Sequence, residues 1–315
     1  MQLPLILLTR SPSYYTSKRL IDSARARGFA THCLDSGSSE EAAMHQLGGV
    51  LGKRPWSGLV IPRIGSRHTA SELRLLSALI AQGLRSPSSP EALDVTMDKA
   101  ATYQRLLNAG LPVVPSYTVE SVEAARKASH DLGAGPWVIK PQRGSQGRDV
   151  VRASGLTQLM SLCADVLTRN AGVIIQPFVP MAQPRDLRVL VTEGVARAAC
   201  WRVASPGEFR SNVHLGATTE AAVLTPEIKH LAEAAAHAVG LTHAGVDLLP
   251  VRTSAGPQAP SAEALTLLEV NGSPGLEGIE RVTQRDLADL VIDDAVSAYA
   301  RHSRGCGNAP PTSSA

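Results

Sequence analysis

Glu269 and Asn271 stand two residues apart in LLEVNGSPG, residues 267–275. On a strand alternate side chains share a face, so this carboxylate and amide point the same way, with Leu268 and Val270 expected to enter a core. Two oxygen donors on one face suit a hard cation. Magnesium in particular keeps several waters and takes its remaining ligands from nucleotide phosphates. Alone, the pair reads as the solvent face of an edge strand. Asp247, in AGVDLL on an expected antiparallel neighbour, and the abrupt GSPG turn change that reading. Together Asp247, Glu269 and Asn271 read as a metal site.

Two other segments carry charge where packing does not require it. In WVIKPQRGSQGRDV an apolar strand delivers Lys140 at its end, and the loop Gly144, Ser145, Gln146, Gly147 follows. Backbone N–H groups of such a loop can close on phosphate oxygens while the ammonium supplies charge. A glycine hairpin beside a surface lysine is the plain alternative. GEFRSNVHLGA, residues 207–217, is polar, lies between strands and offers Arg210 and Asn212. An arginine there would stabilise charge on a transferring phosphoryl group, or form a solvated salt bridge.

The elements that must position these groups are read from short apolar runs. Residues 3–8, 29–34 and 58–62 are expected strands, with helices over 14–27 and 70–82 between and after them. This alternation predicts a parallel sheet covered by helices. From Ser86 turn chemistry gives way to helix, which places a boundary near residue 95. Strands at 116–119, 137–141, 150–153 and 172–176 and helices at 121–132 and 156–168 make a second lobe. The Pro-rich stretch from Pro177 to Asp186 reads as a hinge. Longer strands at 186–191, 195–203, 244–249 and 265–271 form the third. A helix between Thr225 and Gly240 has an N-cap, Pro226 at its first position and one apolar face of Ile228, Leu231, Ala235 and Val239. A last helix is expected over 284–302. The expected division is 1–95, 96–178, 179–303 and a disordered Gly/Pro/Ser tail at 304–315.

Composition narrows the function classes. The 315 residues are 43% hydrophobic and 19% charged, which is ordinary for a folded protein, and the formal charge is only +3. With 3% aromatics and no basic run, nucleic acid is not an expected partner. Cys33, Cys163, Cys200 and Cys306 form no CxxC pair, which argues against structural zinc and a disulfide framework. The apolar start is too short to span a membrane, so no membrane partner is expected and the cytoplasm is the default. Neither a GxSxG elbow nor GxGxxG after the first strand is present. His68, His214 and His243 lack metal-ligand spacing.

Taken together the segments resemble the ATP-grasp superfamily, in particular the RimK-type glutamate ligases. The likeness runs through SPSYYTSKRL, VIPRIGS, DKAATYQRLLNAGLPVVPS, VIKPQRGSQG, RDLRVLV, EFRSNVHLGA, AGVDLL and EVNGSPGLEGIE. It implies an α/β protein of α+β lobes, an ATP-grasp fold preceded by a parallel-sheet domain. It also implies ligation through an acylphosphate, with ATP and magnesium (or manganese) as cofactors. Lys99, Lys140 and the Gly144–Gly147 loop would grip phosphates. Gln176, Pro177, Phe178 and Val179 would hold adenine through the backbone, and Asp186 the ribose. Arg210 would face the transferring phosphoryl, with Ser211 and Asn212 beside it. Asp247, Glu269 and Asn271 would hold the metal, and Tyr15, Lys18 and Arg63 would border the amino acid. The implied partners are ATP, glutamate or another amino acid, and an acidic acceptor, either a protein C-terminus or a coenzyme. A homo-oligomer stays open. So do ligases of lysine synthesis, of tetrahydromethanopterin and of deazaflavin, and a nucleotide-binding regulatory module without catalysis. Three departures stand out: Pro177 in the hinge, Asp149 beside the phosphate loop where it would repel, and a long loop at 252–264.

Overall fold

Four of the six residues of Pro4–Thr9 (β1) are aliphatic with no polar alternation, the pattern of a strand covered on both faces. The computed structural model, which describes residues 3–65, 70–144, 147–180, 184–212, 215–252 and 263–305, places it at the heart of a parallel sheet. β1 is flanked by Ala30–Asp35 (β2) and Gly58–Arg63 (β3), and Leu84–Arg85 (β4) pairs with β3. Helices Tyr15–Ala26 (α1), Glu40–Leu51 (α2) and Ala70–Ala81 (α3) alternate with the strands. The C-terminal helix Leu287–Gly305 (α10) belongs to this unit and packs along α1. Arg27 ties the two helices, donating to Asp289 at 2.6 Å and Asp293 at 2.7 Å. The third lobe expected over 179–303 is divided: residues 286–305 group with the described residues of 3–64. The buried stripe of Leu287, Ala288, Val291 and Ile292 accounts for that placement. Most of the expected tail, from residue 306, lies outside the described residues.

The second unit, the described residues of 91–285, carries two antiparallel sheets. After Pro90–Met97 (α4) and Lys99–Asn108 (α5) come Tyr117–Val119 (β5), Val122–Asp131 (α6), Trp137–Pro141 (β6), Val151–Ala153 (β7), Leu156–Leu167 (α7) and Val173–Pro177 (β8). These strands pair in the order β5-β8-β6-β7. Period-two geometry divides their side chains cleanly. Trp137, Ile139, Val173 and Ile175 enter a core with Leu159 and Cys163 of α7, which sends Lys140, Ile174 and Gln176 to the opposite face.

The other sheet has the order β11-β10-β9-β12-β13. Its strands are Arg185–Thr192 (β9), Val195–Val203 (β10), Thr218–Ala221 (β11), Ala244–Arg252 (β12) and Glu263–Asn271 (β13), with helices Pro226–Ala238 (α8) and Glu277–Thr283 (α9). Thr225 caps α8, its side chain accepting from the Ile228 N–H at 3.4 Å, and Gly240 (φ 80°) follows the helix. The buried stripe is Ala232, Ala235, Ala236 and Val239, displaced from the expected one; Ile228 and Leu231 are only half-buried. Small residues let the helix lie close on the sheet.

One feature of β13 departs from strict alternation. Asp247 pairs with Glu269 but Leu248 with Leu267, so Leu268 is an extra residue, a β-bulge. Leu268 therefore does not enter the core as expected: it is half-buried and lines the pocket described next. The backbone of Leu267 meanwhile pairs outward, donating to Pro112 O at 2.8 Å and accepting from Val114 N at 3.1 Å.

Candidate active site

The pocket within the second unit lies between its two sheets and α5. Lys140, Ile174 and Gln176 come from one sheet, Leu267, Leu268 and Glu269 from the other, and Lys99, Thr102 and Tyr103 from α5. An apolar cleft with a few convergent charges is the usual form of a small-molecule site. Lys99 lies 3.8 Å from Glu269 and donates to Gly144 O at 2.8 Å. Its neighbour Asp98 caps α5, accepting from the N–H groups of Ala100 and Ala101, and holds the Gln142 amide at 2.8 Å. Thus the helix end that delivers Lys99 also fixes the base of the glycine loop. Lys140 is 7% exposed; burial brings its ammonium down to about 8, with Glu269 opposing and Lys99 adding to the shift. Two cations beside one carboxylate leave room for anionic charge. Ser145 and Gln146 lie outside the described residues.

At the far side Gln176 donates to Ser116 Oγ at 2.6 Å, and the Phe178 N–H bonds Pro136 O at 2.9 Å. Phe178 stacks edge-on with Phe209 at 6.1 Å, joining the hinge to the EFRSN segment. There Arg210 pairs with Glu208 at 2.7 Å and donates to Gly147 O at 2.9 Å. Asn212 is set against Gly147 so closely that a Cβ built there would come within 2.5 Å of its Oδ1. Gly147 also has φ of 68°, so the position demands glycine twice over. Asp149 pairs with Arg169 at 3.5 Å, which offsets the charge expected to repel phosphate.

Behind the pocket is a charge network that sequence reasoning missed. Asp186 and Arg188 share a face of β9 by their spacing, Arg202 sits opposite Asp186 on β10, and Asp247 opposite Arg188 on β12. Arg202 grips Asp186 at 2.6 and 2.7 Å and reaches Asp247 at 2.9 Å, while Arg188 also holds Asp247, at 2.8 Å from Oδ2. Ser211 donates to Asp186. Asp186 is only 3% exposed and its expected ribose contact competes with these partners. Burial pushes its carboxyl up, helped by Asp247 and opposed by Arg202. Burial acts the same way on Asp247, but Arg188 and Arg202 prevail and hold it below the ordinary range. Charged residues inside the otherwise apolar strand DLRVLV were the available signal.

The expected metal ligands suit magnesium by donor type, but Asp247 is buried with both oxygens held by Arg188 and Arg202, so it would reach a metal only as those partners give way. Asp247 and Glu269 are cross-strand partners, and Asn271 donates its Nδ2 to Asp247 at 3.2 Å, which turns its Oδ1 the other way. Among the described residues no three His, Cys, Asp or Glu gather into a metal site. Tyr15, Lys18 and Arg63 lie in the first unit, at the carboxyl end of its sheet, where Arg63 pairs with Thr9 in register. His68 and His214 lie outside the described residues.

A model of the RimK-like ATP-grasp domain matches residues 96–295, which takes in both antiparallel sheets and every residue of this pocket. The chain belongs to the RimK-like ATP-grasp family. A probable alpha-L-glutamate ligase of Aliivibrio fischeri is 33% identical over 293 residues, 91% of this chain and 93% of the relative. One from Coxiella burnetii is 32% identical over 308 residues, 94% of this chain and 98% of the relative. Among solved structures, a D-alanine–D-alanine ligase of Bacillus anthracis complexed with ATP has a TM-score of 0.72 at 14% identity, covering 98% of this chain and 100% of its own. The ATP-grasp ligase PsnB complexed with its minimal precursor has a TM-score of 0.66 at 21% identity, covering 94% and 99%. This RimK-like chain is an ATP-dependent ligase with the ATP-grasp fold, of a family that uses ATP and magnesium. No helix among its described residues is long and apolar enough to cross a membrane.

Proposed function

We propose that this ligase joins the amino group of L-glutamate to an acceptor carboxyl group through an acylphosphate. The observation that carries the reading is the convergence of Lys99, Lys140 and Glu269 on one pocket, with the family's relatives named as glutamate ligases. Lys99 and Lys140 hold the phosphates and the hinge at Gln176–Val179 meets adenine; Asp186 would reach the ribose only by giving up its Arg202 and Ser211 contacts. Asp247, Glu269 and Asn271 would hold magnesium, which when bound neutralises phosphate charge. A carboxylate oxygen of the acceptor attacks the γ-phosphorus as the bond to ADP breaks. The glutamate nitrogen then attacks the acyl carbon, phosphate departs, and the amine gives up a proton. Arg210 faces the charge that develops on the transferring group, with Asn212 beside it. The acceptor is an acidic chain end or coenzyme. A ligase of this fold has been solved with precursor peptide PsnA2 and AMPPNP, which supports a peptide acceptor.

The test is phosphate release across amino acids and acceptors, with mass spectrometry of products. Without amine, ATP and the acceptor should give a species that hydroxylamine traps. Arg210→Ala should lower kcat by about two powers of ten, the usual cost of removing a donor aimed at transition-state charge. AMP and pyrophosphate as products would overturn the acylphosphate route.

A further inference from the structure

Glu208 belongs to the EFRSN segment, yet no role for it follows from the chemistry above. Its carboxylate is the hub of that segment. Oε1 accepts from the N–H of Phe209 at 2.8 Å, the N–H of Arg210 at 3.0 Å and Arg210 Nε at 3.0 Å. Oε2 accepts from Arg210 Nη2 at 2.7 Å. One side chain therefore closes its own backbone turn and grips the edge of the guanidinium two residues on. The Nη1 corner that remains points to Gly147 O at 2.9 Å, at the end of the glycine loop, and to Val150 O at 3.5 Å, just before β7.

The two ends of this arrangement are separately anchored. Phe209 is fixed against Phe178 of the hinge. Gly147 is locked against Asn212, where no side chain fits. A free arginine side chain samples many rotamers, and a planar fork gives directional bonds only when its plane is set. Here the plane is set by the bidentate contact to Glu208. The pair is partly exposed, with side chains 26% and 23% accessible, so it is not a burial requirement of the fold.

We propose that Glu208 is a positioning residue: it holds the Arg210 guanidinium in the plane and at the height needed to meet the transferring phosphoryl group across the glycine loop. The proposal rests on the assignment of Arg210 above. Glu208 is assigned no contact with a reacting atom; beyond closing its own turn, it acts on the reaction through Arg210.

That separation makes the proposal testable by a double-mutant comparison. Steady-state phosphate release is measured with ATP, magnesium, L-glutamate and a glutamate-terminated peptide, alongside binding of ADP with and without aluminium fluoride as a mimic of the transferring group. Glu208→Gln preserves size and one acceptor but loses the charged bidentate contact. It should lower kcat about tenfold, as expected when a catalytic group loses orientation, with the KM for ATP changed less than about threefold. Glu208→Asp keeps the carboxylate and should recover most of the rate. In the Arg210→Ala background Glu208→Gln should change nothing further, because its target is gone. Glu208→Gln should also weaken the aluminium fluoride complex while leaving ADP binding intact.

Wild-type kcat and fluoride binding in Glu208→Gln, with Arg210→Ala defective, would overturn this proposal and leave the role of Arg210 standing. Equal losses from Glu208→Gln with and without Arg210 would also overturn it, since Glu208 would then act on the loop and not through the guanidinium. If Arg210→Ala itself kept wild-type kcat and fluoride binding, both assignments would fall together.

Discussion

Lys140 stands where its own charge is disfavoured. Buried on the face of β6 opposite the core, with Lys99 near and Glu269 the main compensation, its ammonium is brought from 10.5 down to about 8. Between those values the unfolded chain holds a proton that the folded site has released, so this group adds stability as pH rises through that window. Arriving phosphates reverse the balance, because opposite charge favours the ammonium. Binding of ATP at about pH 9 should therefore take up a large part of one proton. Calorimetry in two buffers of different ionisation enthalpy reads this directly, and Lys140→Met should abolish the difference. A wild-type binding enthalpy independent of buffer would show that Lys140 is already charged in the free protein.

Two capped helices, α5 and α8, separate what an element does for stability from what it does for the site. Asp98 and Thr225 each accept from N–H groups of the first turn. Replacing either with alanine should cost about 1 kcal/mol in a urea titration. Only Asp98→Ala should also raise the KM for ATP, because Asp98 holds Gln142 and introduces Lys99, whereas α8 lies outside the pocket. Equal KM values in the two variants would mean that the glycine loop does not depend on the α5 terminus. The elements that could be read from sequence were those with a strong apolar pattern. Trp137–Pro141 and Val195–Val203 have the expected bounds because turn residues bracket apolar runs. By contrast α2 carries little signal: only Ala43 and Leu47 of its twelve residues are buried, and Gly48–Gly49 breaks the apolar pattern though not the helix. The exposed edge strand β11, TTEA, has no hydrophobic face to detect. In the site, Asp247, Glu269 and Asn271 stood out as polar residues in apolar strands. The bulge at Leu268 left no trace, since it is defined by the partner strand's register. Glu208 was missed because a bond within one loop has no periodicity.

At the scale of the whole chain, nucleotide and amino acid are assigned to different folding units. Every residue of the pocket proposed for ATP comes from residues 91–285, whereas Tyr15, Lys18 and Arg63 belong to the unit built by the first strands and α10. Arg63 is the informative member. It ends β3 at the carboxyl edge of a parallel sheet, where ligands of such sheets gather. Among the described residues its Nη1 is buried without a hydrogen-bond partner, and burial brings the guanidinium down to about 10. An orphaned donor costs folding free energy, and a ligand carboxylate would satisfy it. Arg63→Ala should therefore raise the KM for glutamate at least about tenfold, the scale of one lost charge-assisted hydrogen bond, and leave the KM for ATP nearly unchanged. The same variant should lose little melting temperature, because removal of the orphaned donor offsets the packing lost with the side chain. Lys140→Met should give the converse pattern, with ATP affected and glutamate spared. A lower melting temperature with unaltered glutamate KM in Arg63→Ala would make the arginine a structural part of its own unit. Preferential incorporation of a neutral amino acid by the wild type would remove the need for a second cationic site and with it the glutamate reading, while the ligase chemistry of residues 91–285 would be untouched.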